Sequence, residues 1–212
     1  MSRIARALRA PSPHARLPRQ LRALALACAA LLGASCLEVA PAAKHPGVEP
    51  RDVSASPGME LETACVPTGV ERCFDALDNN CNGVIDEGCG LQTGILQFTI
   101  AWSEPKADVD LNVTGPDGEL ARFDEPTQSG LLKDRDCPGS EDACRGQNVE
   151  NVFLAEGAPR RGRYRVVVRL EDPADAVGKI RVRLSARIGQ RHFSTTLELS
   201  TRADQRELEF TL

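Results

Sequence analysis

"RYRVVVRLEDPADAVGKIRVRLSARI", residues 163–188, decides the fold. Tyr164, Val166, Val168 and Leu170 fall on one side of an extended chain, and Arg163, Arg165 and Arg169 on the other. The pattern resumes with Ile180, Val182, Leu184, Ala186 and Ile188. A period of two is the mark of strands with one buried face. Working outward, "ILQFTIAW" (95–102) repeats it through Leu96, Phe98, Ile100 and Trp102. "HFSTTLELS" (192–200) does so through Phe193, Thr195, Leu197 and Leu199, and "ELEFTL" (207–212) through Leu208, Phe210 and Leu212. "DVDLNVT" (108–114), "ELARF" (119–123) and "ENVFLA" (150–155) bring the count to about eight strands, the number of an antiparallel β-sandwich. "GPDG" (115–118) reads as a hairpin turn, and no amphipathic helix is evident after residue 35. The expected fold is mainly β, with the sandwich occupying residues 91–212.

The aromatic residues agree, since all but Phe74 lie between residues 98 and 210. Upstream the chain changes character. Residues 1–35 carry six arginines and no acid, followed by the apolar run "LRALALACAALLGASC". A basic start, an apolar stretch too short to span a bilayer and then small residues make an export signal. "LLGASC" resembles a bacterial lipobox, which makes Cys36 the expected lipidated residue. The alternative is ordinary cleavage further on, after "PAA" (41–43). Loss of residues 1–35 takes the net charge from −4 to −10. Such an acidic body is a poor partner for nucleic acid and a reasonable one for cations. Residues 36–62, with Pro41, Pro46, Pro50 and Pro57 among small and charged residues, read as a flexible linker.

Six cysteines follow Cys36, an even number in an exported chain, and read as three disulfides. Cys137 and Cys144 close the short loop "CPGSEDAC" and are expected to pair. Cys65, Cys73, Cys81 and Cys89, spaced eight apart, leave three pairings open. They define a small module, residues 63–90, with too few apolar residues to fold on a core alone.

Within the module, "DNNCNGVIDEGC" (78–89) places oxygen donors at alternate positions. Counting Asp78 as the first position, Asn80 is third, Asn82 fifth, Gly83 sixth, Val84 seventh and Asp86 ninth. That is the ligand spacing of an EF-hand-like calcium loop, with Gly83 for the sharp turn and Val84 offering its carbonyl. The twelfth position is Cys89 and not a bidentate acid, so the missing ligand falls to Glu87 or Asp75. The expected affinity is that of extracellular modules, Kd about 10⁻⁴–10⁻³ M. The competing view is a disulfide-stapled turn whose Asp and Asn cap backbone groups.

"ERCFDALDNNCNGVIDEGC" (71–89), within a likeness that covers residues 65–89, resembles the Cys-rich metal-binding motif of MopE-type bacterial surface proteins and the thrombospondin type 3 calcium repeats. The all-oxygen donors here favour Ca²⁺ over copper, which prefers imidazole and sulfur; His14, His45 and His192 all lie outside the motif. "FTIAWSEPKADVDLNVTGPDGE", "ENVFL" and "GRYRVVV" resemble the YfaP-like exported β-sandwich domains, which implies that fold for residues 93–212 and no particular reaction.

Other chemistry is thinner. His192 is the one histidine beyond the linker, and no partnered nucleophile is visible. Asp108 and Asp110, about 6.5–7 Å apart along a strand, have a spacing that glycosidase chemistry tolerates. A second cation site is expected from Asp108, Asp110, Asp134, Asp136 and Glu150, with Asp134 and Asp136 delivered by a loop and Lys106 partly neutralising. Arg163, Arg165, Arg169, Arg181, Arg183 and Arg187 could form a basic face for acidic polysaccharide. Pairing with Glu198, Glu207 and Glu209 is the simpler expectation.

Together these features describe an exported cell-envelope lipoprotein of a bacterial outer membrane or surface, or alternatively a periplasmic or secreted protein. It would be a non-catalytic module binding Ca²⁺ and a glycan or envelope protein, touching the membrane through its lipid alone. The alternative of another class is a secreted hydrolase or its carbohydrate-binding accessory domain.

Overall fold

The computed structural model describes residues 47–138, 144, 146–155 and 157–212. The leader, Cys36 and the first part of the linker lie outside the described residues. Among those described, all regular structure is β: β1 (Arg51–Ala55), β2 (Leu96–Trp102), β3 (Asp108–Thr114), β4 (Leu132–Asp136), β5 (Val149–Leu154), β6 (Arg163–Asp172), β7 (Ile180–Ile188), β8 (Arg191–Leu199) and β9 (Gln205–Thr211). They form two antiparallel sheets, one of four strands in the order β1-β9-β6-β3 and one of five in the order β4-β5-β2-β7-β8.

The alternation explains why the sheets pair. Val166, Val168, Leu208 and Phe210 of one sheet and Phe98, Ile100, Val182, Leu184 and Leu197 of the other are buried in a single core. Phe98 meets Phe210 across the sheets with ring centroids 6.0 Å apart, and Tyr164 stacks on Phe210 at 5.0 Å. Each such ring, fully buried, contributes about 1.5–3 kcal/mol from water exclusion. The Tyr164 hydroxyl donates to Arg160 O at 2.8 Å. Burial, with the Asp117 charge, pushes that phenol up to about 12, so it stays a donor.

Three segments differ from the sequence expectation. "ELARF" is not a strand. It makes only isolated bridges, Leu120 to Thr114 and Phe123 to Lys133, as the chain crosses from the β3 edge to the β4 edge. The "GPDG" turn that precedes it is present, closed by Gly118 N to Gly115 O at 3.0 Å. "LLKDRD", expected as a loop, supplies β4, which pairs with β5. Residues 51–55, assigned to the linker, form β1 on the free side of β9, with Val53 and Ala55 packed against the core. Further on, Glu62 and Ser194 exchange both backbone hydrogen bonds, at 2.8 and 2.9 Å. The segment thus covers an edge of each sheet, where unpaired backbone groups would otherwise invite another strand.

Gly94 shows how tightly β2 is entered. A Cβ there would collide with the Leu154 carbonyl, which is already the acceptor for Ile95 N at 3.0 Å. Gly94→Ala should therefore destabilise the protein by about 1–3 kcal/mol. Urea unfolding of the pair measures it, and an unchanged midpoint contradicts this packing.

Candidate functional site

The four cysteines of the module are interlaced: Cys65 pairs with Cys81 and Cys73 with Cys89, with Cα–Cα distances of 5.7 and 5.2 Å. The third expected bridge, Cys137–Cys144, is present. Among residues 63–90 the fully buried apolar side chains are Ala76 and Ile85, so cross-links and docking must supply what a core cannot. Phe74, Ala76, Cys81 and Asp86 hold left-handed φ values of 50–65°, and Gly83 has φ 91°. Such backbone persists only where the surroundings enforce it.

Docking is what the sequence did not reveal. The module lies on the outer face of the five-stranded sheet, over β2 and β7. Gln97 and Thr99, expected to face water, are fully buried, as are Asn151 and Ser185. The Gln97 amide accepts from Ile85 N at 3.4 Å and donates to Ile85 O at 3.0 Å. Ser185 Oγ donates to Ala76 O at 2.5 Å, and Arg183 NH1 to Asp75 O at 3.0 Å. Asn151 Nδ2 reaches Gln92 O and Asp134 Oδ1, at 2.8 and 2.6 Å. The signal was present in the sequence: Gln97 and Thr99, the polar outer positions of β2, are uncharged, whereas the polar outer positions of β6 and β9 are mostly Arg and Glu.

The loop splits its expected ligands into two groups. In the first, Asp78 accepts from Asn82 N at 3.1 Å and Gly83 N at 2.7 Å, and Asn80 Oδ1 accepts from the same Asn82 N at 2.9 Å. Asn80 and Asn82 both direct their side-chain amides at Glu87 Oε1, at 2.5 and 2.6 Å. The other oxygen, Glu87 Oε2, is shielded from solvent and accepts no hydrogen bond. Val84 N is capped by Asn82 Oδ1 at 2.9 Å, leaving its carbonyl for the seventh position.

Asp86 and Asp75, both expected as ligands, lie outside that group and bind other donors. Asp86 turns into the module, where its carboxylate accepts from Asp75 N at 3.3 Å and Ala76 N at 3.1 Å. Asp75 accepts from Leu77 N at 3.0 Å and Asn79 Nδ2 at 3.4 Å. Glu71, missed in the sequence, caps Asp86 N at 3.1 Å and Asn79 N at 3.0 Å. Burial, opposed by these backbone donors and reinforced by Asp75, pushes Asp86 up to about 6. Burial and then the Glu87 charge push Glu71 up to about 7. Among the described residues no three acidic, imidazole or thiolate groups gather as a metal set. An oxygen site in this loop must therefore draw on amide and carbonyl oxygens.

The second acidic cluster is built around a lysine. Lys133, buried on β4, contacts Asp136 at 2.8 Å and Glu150 at 2.9 Å. Glu150 shares the core face with Ile100, its partner on β2, and is 1% exposed. It also accepts from Leu111 N at 2.6 Å, closing an edge amide of β3 in the opposite sheet. Asp110 and Asp108 lie close enough to feel this group, and burial first, with neighbouring acids, raises both carboxyls. Of the carboxylates expected to share a cation, Asp136 and Glu150 meet on the Lys133 ammonium. Asp134 points to the opposite face, accepting from Gln92 N at 2.8 Å as well as from Asn151. Lys106 pairs away from the cluster, with Asp175. Reading "LLKDRD" as a strand, with Leu131 and Lys133 facing in, would have found the lysine.

Burial and the adjacent Asp136 push Glu150 well above the ordinary carboxyl range. Burial alone would raise Asp136, but its hydrogen bonds to Glu150 and Lys133 hold it low. Burial would depress Lys133, and the Glu150 charge and the two hydrogen bonds outweigh it. The three groups titrate as one coupled unit, with Glu150 raised and Asp136 lowered.

The arginines do not share one face. Arg163, Arg165 and Arg169 belong to β6 and Arg181, Arg183 and Arg187 to β7, on different sheets. Arg165 pairs with Glu207 and Arg169 with Glu171, while Glu198 is taken by Lys179. His192 is half-buried, its imidazole lowered by burial against the opposing pull of Asp78.

Two outcomes test these assignments. Glu150→Gln keeps an acceptor for Lys133 and Leu111 N and a donor for Asp136, so it should be close to neutral. Glu150→Leu should cost about 3–5 kcal/mol by stranding Lys133. Equal losses in chemical denaturation would contradict the hydrogen-bonded role given to Glu150. Asp86 and Glu71 bind protons more tightly folded, at about 6 and 7, than at their ordinary 3.8 and 4.5. Their ionisation therefore opposes folding in full above pH ~7, and the penalty is removed as pH falls toward ~4. In chelator, lowering pH from about 8 to 5 should raise the Tm of the wild type relative to that of Glu71→Gln; parallel Tm profiles would overturn this.

No family model matches the chain, and no curated protein or solved structure matches it.

Proposed function

We propose that the chain is an exported, non-catalytic binding protein of a bacterial cell envelope, tethered through a lipid on Cys36, whose Cys-rich loop takes up Ca²⁺. The observation that carries the calcium reading is Glu87. One of its oxygens binds the amides of Asn80 and Asn82, and the other is enclosed without a donor. A carboxylate held by neutral groups alone leaves a charge for a cation to balance. Asp78, Asn80, Asn82, Glu87 and the Val84 carbonyl would hold the ion, a hard-oxygen set suited to Ca²⁺. When bound, it would supply charge balance and cross-linking of the loop. The resemblance to MopE-type and thrombospondin type 3 motifs supports this, and the disulfides fit an oxidising compartment. The YfaP-like resemblance of the sheets supports an envelope location and a binding role toward glycan or envelope protein.

Calorimetric titration of the mature protein with Ca²⁺, and with Mg²⁺ as control, tests the reading. One site with Kd of about 10⁻⁴–10⁻³ M is expected. Asp78→Ala and Glu87→Gln should each remove it, whereas Asp86→Asn, outside the set, should retain it. A wild type silent to Ca²⁺, or unchanged stoichiometry in the first two variants, would sink the assignment.

A further inference from the structure

A cleft of about 300 Å³ opens where the module meets the sheet, lined by Phe74 and Asp75 of the module and by Trp102, Ser103, Arg181, Arg183 and Thr196 of the sheet side. Arg181 and Arg183 are i and i+2 on β7, so both point out of the same face. Among the described residues neither forms an ion pair. The acid opposite Arg181 is Glu198, and its carboxylate is held by Lys179 at 2.7 Å. Arg183 is steadied by the Asp75 carbonyl at 3.0 Å, and the Asp75 carboxylate is occupied by Leu77 N and Asn79 Nδ2. Two guanidinium groups and the single carboxylate of Asp75 therefore line the cleft, which leaves it with an excess of positive charge.

The remaining walls narrow the ligand. Phe74, fixed at φ 65°, presents an aromatic ring, and Trp102 is held by its indole N–H to Ala107 O at 2.9 Å. Ser103 and Thr196 add exposed hydroxyls. A bare inorganic anion would use the guanidinium groups and leave the apolar wall idle. A ring bearing one planar carboxylate and several hydroxyls uses all of them: the fork of an arginine matches the carboxylate, and the ring packs on the aromatic face. The volume suits one or two sugar units. A net charge of −10 after the leader disfavours a long polyanion.

We propose that this cleft binds a short uronic-acid sugar, with Arg181 and Arg183 on the carboxylate and Phe74 against the pyranose ring. The proposal rests on the reading of the chain as a binding module and names its ligand class. Because the module supplies Phe74 and the Asp75 carbonyl, the site exists only while the module is docked.

Titration of the mature protein with digalacturonate, followed by NMR shifts, tests it, with neutral digalactose and inorganic phosphate as controls. Saturable uronate binding at millimolar or tighter Kd is expected, with none for the neutral sugar. Arg181→Ala, an exposed residue outside the docking contacts, should weaken it about tenfold or more. Phe74→Ala should weaken uronate and leave phosphate unchanged. Absence of uronate binding overturns the proposal. Phosphate binding as tightly as uronate, with Phe74→Ala silent, overturns it too. Arg181→Ala leaves the calcium ligands intact, so Ca²⁺ titration of that variant separates failure of this site from failure of the calcium reading.

Discussion

The Gln97 side-chain amide joins the disulfide-rich module to the sheets. It sits at the centre of the five-stranded sheet, fully buried, and satisfies both backbone groups of Ile85. An amide in that position without partners would cost about 1–3 kcal/mol, so the outer face of β2 demands a cover. The module supplies one, and residues 43–212 consequently form one compact unit. The interlaced disulfides follow from the same demand. Ile85 lies inside the Cys73–Cys89 loop and just beyond Cys81, where the Cys65–Cys81 loop closes. Holding its backbone flat against a sheet requires left-handed turns at Phe74, Ala76, Cys81 and Asp86, and a chain without cross-links would relax them.

A second buried polar group ties the two sheets together from the inside. Glu150 reaches from β5 across the core to the free edge of β3, and Lys133 and Asp136 complete it. Its weight differs from that of the surface pairs. Lys106 and Asp175 are 76% and 84% exposed in their side chains; such a pair is worth about 0–1 kcal/mol. The buried group is costly to break because each member would be left without its complement in a low-dielectric interior. Both polar devices thus act as position markers: one sets where the module lies, the other sets the stagger of the sheets.

The regular part of this architecture was legible because alternation over β6 to β9 has one physical cause, a single buried face. It failed where a second cause intervened. β2 obeys the alternation, yet its polar residues are buried by the module, and only their lack of charge distinguishes them from solvent positions. β1 has two half-buried apolar residues, Val53 and Ala55, and exists because β9 offers an open edge. "ELARF" has the period of a strand but no edge to pair with over its length, since it must cross between sheets. Lys133 was overlooked because a charge at an inward position reads as a loop until its two acids are placed beside it.

The candidate calcium loop shows the same boundary at the scale of single residues. Spacing fixes which side chains can converge only while the backbone curls evenly. From Asp78 to Val84 it does, with Gly83 taking the turn, and Asp78, Asn80 and Asn82 share acceptors and donors as the spacing implies. At Asp86 the backbone enters the left-handed region, φ 50°, and its carboxylate swings back onto Asp75 N and Ala76 N. The same reversal brings the next acid, Glu87, onto Asn80 and Asn82. The donor expected at the ninth position is therefore exchanged for its neighbour by a single backbone torsion. That torsion follows directly on Ile85, whose backbone is held by Gln97. In this way the docking contact selects the ligands of the proposed ion site.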